Sequence, residues 1–216
     1  IGKSALAALT SGAGNVALGY QALGAVTTTS GNIAIGYQAG DTHGGSRNIS
    51  IGYQAIADAD NAESDCIAIG YQALTNMNHN SQSANIAIGN YALDAIGTNL
   101  HTGTMAIGHQ ALTALTSGAG NVVVGYQAAD AMTVGQQNVV VGHQAMSAAV
   151  EDGGCVAIGW NALLAANAGG SDGSATNVYN TAVGYNTGAV ISTGLRNTIV
   201  GGGAGVNFDA ENDNTL

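Results

Sequence analysis

The chain has 216 residues, with 34 glycines, no proline, 7% charged and 5% aromatic residues, and a net charge of −10 from 13 acidic and 3 basic side chains. No proline excludes a collagen-like helix, and 46% apolar residues with a mean hydropathy of +0.18 exclude familiar disorder. Three basic residues leave no stripe to neutralise phosphates, which excludes nucleic acid as a ligand. Every apolar run is broken within about six residues, which excludes membrane insertion by an apolar helix.

One unit recurs along the chain. Glycines that follow an apolar triplet stand at Gly2, Gly19, Gly36, Gly52, Gly70, Gly89, Gly108, Gly125, Gly142, Gly159, Gly184 and Gly201, spaced 16 to 19 residues apart with one interval of 25. The best copies read Asn15-Val-Ala-Leu-Gly-Tyr-Gln-Ala-Leu23, Asn32-Ile-Ala-Ile-Gly-Tyr-Gln-Ala-Gly40 and Asn48-Ile-Ser-Ile-Gly-Tyr-Gln-Ala-Ile56. Between copies lie polar, Gly-rich loops such as Thr27–Gly31 and Thr116–Gly120, the longest running from Ala165 to Tyr179. A unit this short holds no helix pair, and its β-branched triplets predict strands. It cannot bury its own face, so copies must stack one strand above the next. The predicted fold is all-β, a parallel β-solenoid of about 12 turns, on the order of 55 Å long at about 4.8 Å per layer.

Stacking puts like residues in columns. Four residues before the glycine stand Asn15, Asn32, Asn48, Asn85, Asn121, Asn138, Asn180 and Asn197, with Cys66, Thr104 and Cys155 as exceptions. Two residues after it stand Gln21, Gln38, Gln54, Gln72, Gln110, Gln127 and Gln144, then Asn161 and Asn186. Amides in register can bond to the turns above and below, so both columns are expected to be structural ladders. Directly after the glycine comes a ring: Tyr20, Tyr37, Tyr53, Tyr71, His109, Tyr126, His143, Trp160 and Tyr185, with Asn90 and Tyr91 exchanged. Packing is the expected role of this column, because nearly every layer carries it. Exposed ring faces that stack on sugars are the second reading.

Within each triplet the outer residues are large (Val16 and Leu18, Ile33 and Ile35) and the middle one is small (Ala17, Ala34, Ser50, Ala68, Ala87). Apolar residues on both faces predict a strand buried on both. A thin solenoid has one interior, so the Ala-lined face is expected to meet another chain closely, in a side-by-side homotrimer. The glycine is expected at a corner that tolerates no Cβ.

The repeat wording carries a resemblance. Asn-x-Ala-Ile/Val-Gly-Tyr-Gln-Ala-Leu resembles the repeats of bacteriophage and prophage tail-fibre and tailspike-like proteins, which often precede an intramolecular chaperone domain. The shorter core in Cys66-Ile-Ala-Ile-Gly70 and Cys155-Val-Ala-Ile-Gly159 is similar to the head repeats of YadA-type trimeric autotransporter adhesins. The resemblance covers Ile1 to about Gly205. It implies a left-handed roll wound into a homotrimer, placed on a virion, outside the cell or at the cell surface. It also implies fibre or baseplate partners and a host-surface glycan or protein as receptor. The units are longer than the adhesin-head repeat, and no chaperone, stalk or anchor sequence is included.

The sequence therefore divides into a repeat domain, 1–205, and a C-terminal cap with a polar tail, 206–216, with Phe208 as the candidate cap. Ile1-Gly2 opens in mid-unit, so preceding chain or a neighbouring protein is expected there. No catalytic signature appears, and no cofactor or metal site is expected. The acids lie in loops or the tail and are expected to be solvated. The densest group, Asp58 to Asp65, lacks the nonapeptide of calcium-binding rolls, and the histidines have no zinc spacing. Cys66 and Cys155 sit five turns apart, about 24 Å, beyond the roughly 7 Å reach of a disulfide. The expected function is a structural and adhesive fibre segment, not an enzyme. The alternatives are an adhesin head, or a glycan-degrading spike with its site between chains. No regular Thr column supports ice binding.

Overall fold

The computed structural model describes residues 1–42, 44–57, 63–76, 83–94, 102–167 and 176–216. Eleven three-residue strands form one parallel sheet: β1 (Val16–Leu18), β2 (Ile33–Ile35), β3 (Ile49–Ile51), β4 (Ile67–Ile69), β5 (Ile86–Ile88), β6 (Met105–Ile107), β7 (Val122–Val124), β8 (Val139–Val141), β10 (Val156–Ile158), β12 (Thr181–Val183) and β13 (Thr198–Val200). The long interval before Gly184 is bridged by a second sheet in which β9 (Asp152–Gly153) pairs in parallel with β11 (Thr176–Asn177). The chain is a parallel β-solenoid. Equivalent residues pair in strict register, as in Val16 with Ile33 and Ala17 with Ala34. Among the described residues there is no helix, and so none long and apolar enough to cross a membrane.

Backbone pairing extends beyond the strands on both sides. Val16 N–H donates to the Asn32 carbonyl, and past the corner Gln38 N–H donates to Tyr20 and Leu23 N–H to Ala39. Each turn is therefore bonded to the next from the Asn position through the Leu position, although the strand proper is three residues long. The corner glycine has φ near +140°, with +141° at Gly19 and +139° at Gly36. Beyond it the Gln and Leu positions adopt left-handed conformations, with φ +53° and +51° at Gln21 and Leu23 and +48° and +55° at Gln72 and Leu74. An L-residue pays about 1–2 kcal/mol for that conformation. The return is geometric, because two left-handed residues swing Ala22 and Leu23 both into the interior, where each is fully buried.

The core is a thin column of small and medium side chains. Ala17, Ala34, Ser50, Ala68, Ala87, Ala106, Val123, Val140, Ala157, Ala182 and Ile199 point inward from the strands. This corrects the expected facing of the strands. The small middle residue lines the interior, and the large flanking residues point out: Val16 is 51% and Leu18 45% exposed, and Ile33 and Ile35 are half-buried. The physical reason is width, since a 17-residue turn leaves little space between its walls. Two of the three β-branched residues inside are offset by a small residue in the same layer, while Val140 shares its layer with the unbranched Met146. Opposite Val123 the Leu position becomes Ala129, and in the layer of Ile199 it becomes Gly205, where a Cβ would lie 2.8 Å from Ile199 Cδ1. The strands of a single chain are buried on one face only.

The segment 206–216 serves both as loop and as a further rung. Phe208 packs partly buried against the core. Asn214 N–H donates to Asn197 Oδ1, Thr198 N–H to the Asn214 carbonyl, and Thr215 bridges Thr198 in parallel. Asn214 thus continues the Asn column. At the other end, Gly19 N–H donates to the Ile1 carbonyl and the terminal amine to the Ala17 carbonyl.

Candidate functional site

Three columns and one open face distinguish the surface of the rod from its core. The Asn column is buried and ties side chain to main chain. Asn32 Oδ1 accepts the Asn48 N–H at 2.8 Å while its Nδ2 donates to the Gly45 carbonyl and Thr29 Oγ1. Asn15, Asn48, Asn121, Asn138, Asn180 and Asn197 repeat the pattern, each donating to a loop carbonyl of the next turn. Asn85 accepts the Thr104 N–H through Oδ1. Where Cys66 and Cys155 replace Asn, their N–H groups still donate to Asn48 and Asn138, and the thiols donate to loop carbonyls, Cys66 Sγ to Ser64 and Cys155 Sγ to Gly153. Both thiols are buried and outside any disulfide, and burial pushes them up to about 11 and about 12.

The Gln column is an amide ladder in the strict sense. Gln38, Gln54 and Gln72 each donate to the Gln of the preceding layer, at 3.1, 3.1 and 3.2 Å, and Gln127 and Gln144 do the same from Gln110 onward. Tyr91 occupies the Gln position and Asn90 the ring position, where Asn90 Oδ1 accepts the Tyr71 N–H. That exchange divides the ladder in two. At Asn161 the shorter side chain ends it, and Asn161 Oδ1 is buried without a hydrogen bond.

The ring column is continuous through the exchange. Tyr20, Tyr37, Tyr53 and Tyr71 stack with centroids 5.0–5.2 Å apart and planes within 13°. Tyr91 meets Tyr71 and His109 edge-on, Tyr126 lies stacked between His109 and His143, and Trp160 meets His143 edge-on. Trp160 Nε1 donates to His143 Nδ1 at 3.0 Å. Parallel stacking puts a ring on both sides of Tyr37 and Tyr53, which leaves those two rings no open face for a sugar.

The open face lies beside the rings. Its two columns are the outer residues of the eleven strands, every one Ile, Val, Leu or Met except Thr181 and Thr198, and none charged. Val16, Leu18, Val122, Val139, Ile158 and Val200 are 37–59% exposed. Over eleven layers at about 4.8 Å this strip runs on the order of 50 Å, a continuous apolar surface where ordinary monomers expose apolar residues singly or in small patches.

The loop acids are not uniformly solvated, contrary to expectation. Glu63 and Asp152 are fully buried and Glu151 nearly so, because the loops fold back onto the neighbouring layer instead of projecting. Burial also raises the Asp94 and Asp130 carboxyls above the usual range. Two ion pairs escaped the sequence reading: Arg47 with Asp65, and Arg196 with Asp213, both bidentate at 2.6 and 2.8 Å and both exposed. Their signal was opposite charge at equivalent positions of successive units. A serine column was missed likewise, with Ser30, Ser46 and Ser64 hydroxyls accepting N–H bonds from the preceding layer. His43, Asp58, Asp60, His79, His101 and Asp172 lie outside the described residues, as does most of the loop from Ala165 to Tyr179. Among the described residues no three His, Cys, Asp or Glu side chains are grouped to hold a metal ion.

Comparison of the chain with protein-family models, curated proteins and solved structures finds no significant match.

Proposed function

We propose that this solenoid is a rod segment of an extracellular or virion fibre, of the tail-fibre kind that its repeats resemble, and that further copies of the same chain close its aliphatic face in a homotrimer. The observation that carries this reading is the charge-free strip from Val16 and Leu18 on β1 to Thr198 and Val200 on β13. Water tolerates scattered apolar residues, but a continuous β-branched strip the length of the molecule is the signature of an interface. An identical rod in register offers the same columns at the same spacing, so complementarity comes from the repeat itself. This places the seam on the large residues, where the Ala-lined face had been expected. Ladders of backbone, Asn, Gln and ring contacts at every layer give such a segment its stiffness, and the loops are left to face outward three times over, so weak contacts with a host surface add through effective concentration.

The mass of the assembly in solution tests the reading. The wild-type chain is expected to sediment as a trimer, and the triple variant Ile69→Lys, Ile88→Lys, Ile107→Lys as a folded monomer, because those residues leave the core untouched. A stable, soluble wild-type monomer at micromolar concentration overturns it.

A further inference from the structure

The ring and amide columns stop together. In the layer of Gly201 the ring position is Gly202 and the amide position Gly203, so the ring–amide pair present in most layers is absent there. The consequence falls on Tyr185, the last ring of the column. One side of it meets Trp160, centroids 4.8 Å apart and planes 56° apart. The other side faces the layer of Gly202 and carries no ring. Tyr185 is 53% exposed, against 39–45% for Tyr20, Tyr37, Tyr53, Tyr71 and Tyr126. The vacant volume is open: a Cβ on Gly203 would meet nothing within 4 Å, and one on Gly202 only the Tyr185 carbonyl oxygen at 3.9 Å.

We propose that this notch over Tyr185 is a binding site for one pyranose ring of a neutral sugar. The missing layer is about 4.8 Å high, the thickness of a ring laid on a ring, and an aromatic face receives the C–H face of a pyranose. The neighbouring amide position is Asn186, whose side chain makes no hydrogen bond among the described residues and so keeps donors and an acceptor for sugar hydroxyls. Trp160 is held in place by its bond to His143, which fixes the tilted wall of the site. A net charge of −10 disfavours an acidic sugar. Inside the column each ring covers its neighbour, and at the opposite end the position below Tyr20 is filled by the Lys3 side chain, whereas Gly202 leaves the position over Tyr185 empty. It goes beyond the fibre reading and stands whether or not the chain self-associates.

Trp160 is the chain's only tryptophan, so its emission reports on the notch directly. The full chain is titrated with methyl β-glucoside, methyl β-galactoside and N-acetylglucosamine into the tens of millimolar, with choline and p-cresol as competing ligand classes. A saturable emission change with at least one sugar is expected. Tyr185→Ala should weaken it by about two- to tenfold, the loss of roughly one aromatic contact. Gly202→Tyr should abolish it. Gly202 is not among the residues with positive φ, and a Tyr there rebuilds the column, so this variant folds and fills the notch. Tyr37→Ala, in the stacked block, should bind as the wild type does. The proposal is overturned by no response to any of the three sugars in the folded wild type, by an unchanged response in Gly202→Tyr, by equal loss in Tyr37→Ala, or by tighter binding of choline or p-cresol than of any sugar.

Discussion

Gly19 sits under Gly36 so closely that a Cβ on Gly19 would lie 2.2 Å from the Gly36 carbonyl oxygen. The same contact recurs up the rod, at 2.3 Å from Gly36 to Gly52 and 2.1 Å from Gly108 to Gly125. With φ near +140° as well, the corner excludes every other residue twice, by conformation and by space. Backbone cannot yield here without separating two hydrogen-bonded layers. Gly36→Ala is therefore expected to cost about 3 kcal/mol or more, read as a lowered urea midpoint. Gly103 is the control, since its φ is +65° and nothing lies within 4 Å of its Cβ position. Gly103→Ala should cost only about 1 kcal/mol. Equal losses would mean that conformation alone, and not the stacking contact, fixes the glycine.

Asn138 is fully buried, and its amide bonds to the layers on both sides. Its Nδ2 donates to the Asp152 carbonyl at 2.8 Å and to Asn121 Oδ1 at 3.1 Å, and its Oδ1 accepts the Cys155 N–H at 2.8 Å. Replacing it by Ala strands a buried N–H and a buried carbonyl, at about 1–3 kcal/mol each. Asn138→Ala should lower stability by about 2–4 kcal/mol, and Asn15→Ala, at a half-buried layer, by about 1. Amide exchange should rise selectively at Cys155 in the first variant, and a uniform change along the rod would contradict the local account.

Period and register were legible because stacking forces them: a parallel ladder with one strand per turn requires recurrence at the turn length, and Asn, Gln, Tyr and Gly each recur for a reason visible in one unit. The facing of the strand was not legible. Alternation says that Ala17 and Val16 point to opposite sides, and nothing in Val-Ala-Leu says which side is inside. Interior width decides it, and width depends on the left-handed Gln21 and Leu23, conformations that no propensity assigns to Gln or Leu. Buried Glu63 and Asp152 were illegible for a related reason, since loop composition does not show how tightly a loop lies on its neighbour.

The thiols give the rod an alkaline limit. Burial raises Cys66 from 9.0 to about 11 and Cys155 to about 12. Above pH 9 the unfolded chain releases these protons while the folded one keeps them, so the unfolded state binds fewer protons and stability falls as pH rises. The contribution is complete below pH 9 and is lost progressively as pH climbs through 11 and 12. The comparison that isolates the thiols is with the double variant Cys66→Ala, Cys155→Ala. The urea midpoint of the wild type should drop further between pH 8 and pH 10.5 than that of the double variant. Parallel drops would assign the alkaline loss elsewhere.

Ser50 is the one hydroxyl in the inward strand column, between Ala34 and Ala68, and its Oγ is buried without a hydrogen bond. One layer earlier, Gly40 stands at the position that Leu23, Ile56, Leu74 and Leu93 fill elsewhere. The two together interrupt the core: one apolar cluster ends at Ala39 and the other begins at Ala55. A solenoid's stability is a sum of layers and nearest-neighbour interfaces, so a weak interface lets the layers on its short side open alone. Amide exchange should therefore be faster for Val16 through Ile35 than for Ile86 through Val141. Ser50→Ala removes the desolvated hydroxyl and leaves the volume of the other layers, which should stabilise this interface by about 1 kcal/mol. The gain should appear as slower exchange in β1 and β2 with little change from β5 to β8. A Ser50→Ala variant less stable than the wild type would mean that the hydroxyl is satisfied in solution, and the weak point would then rest on Gly40 alone.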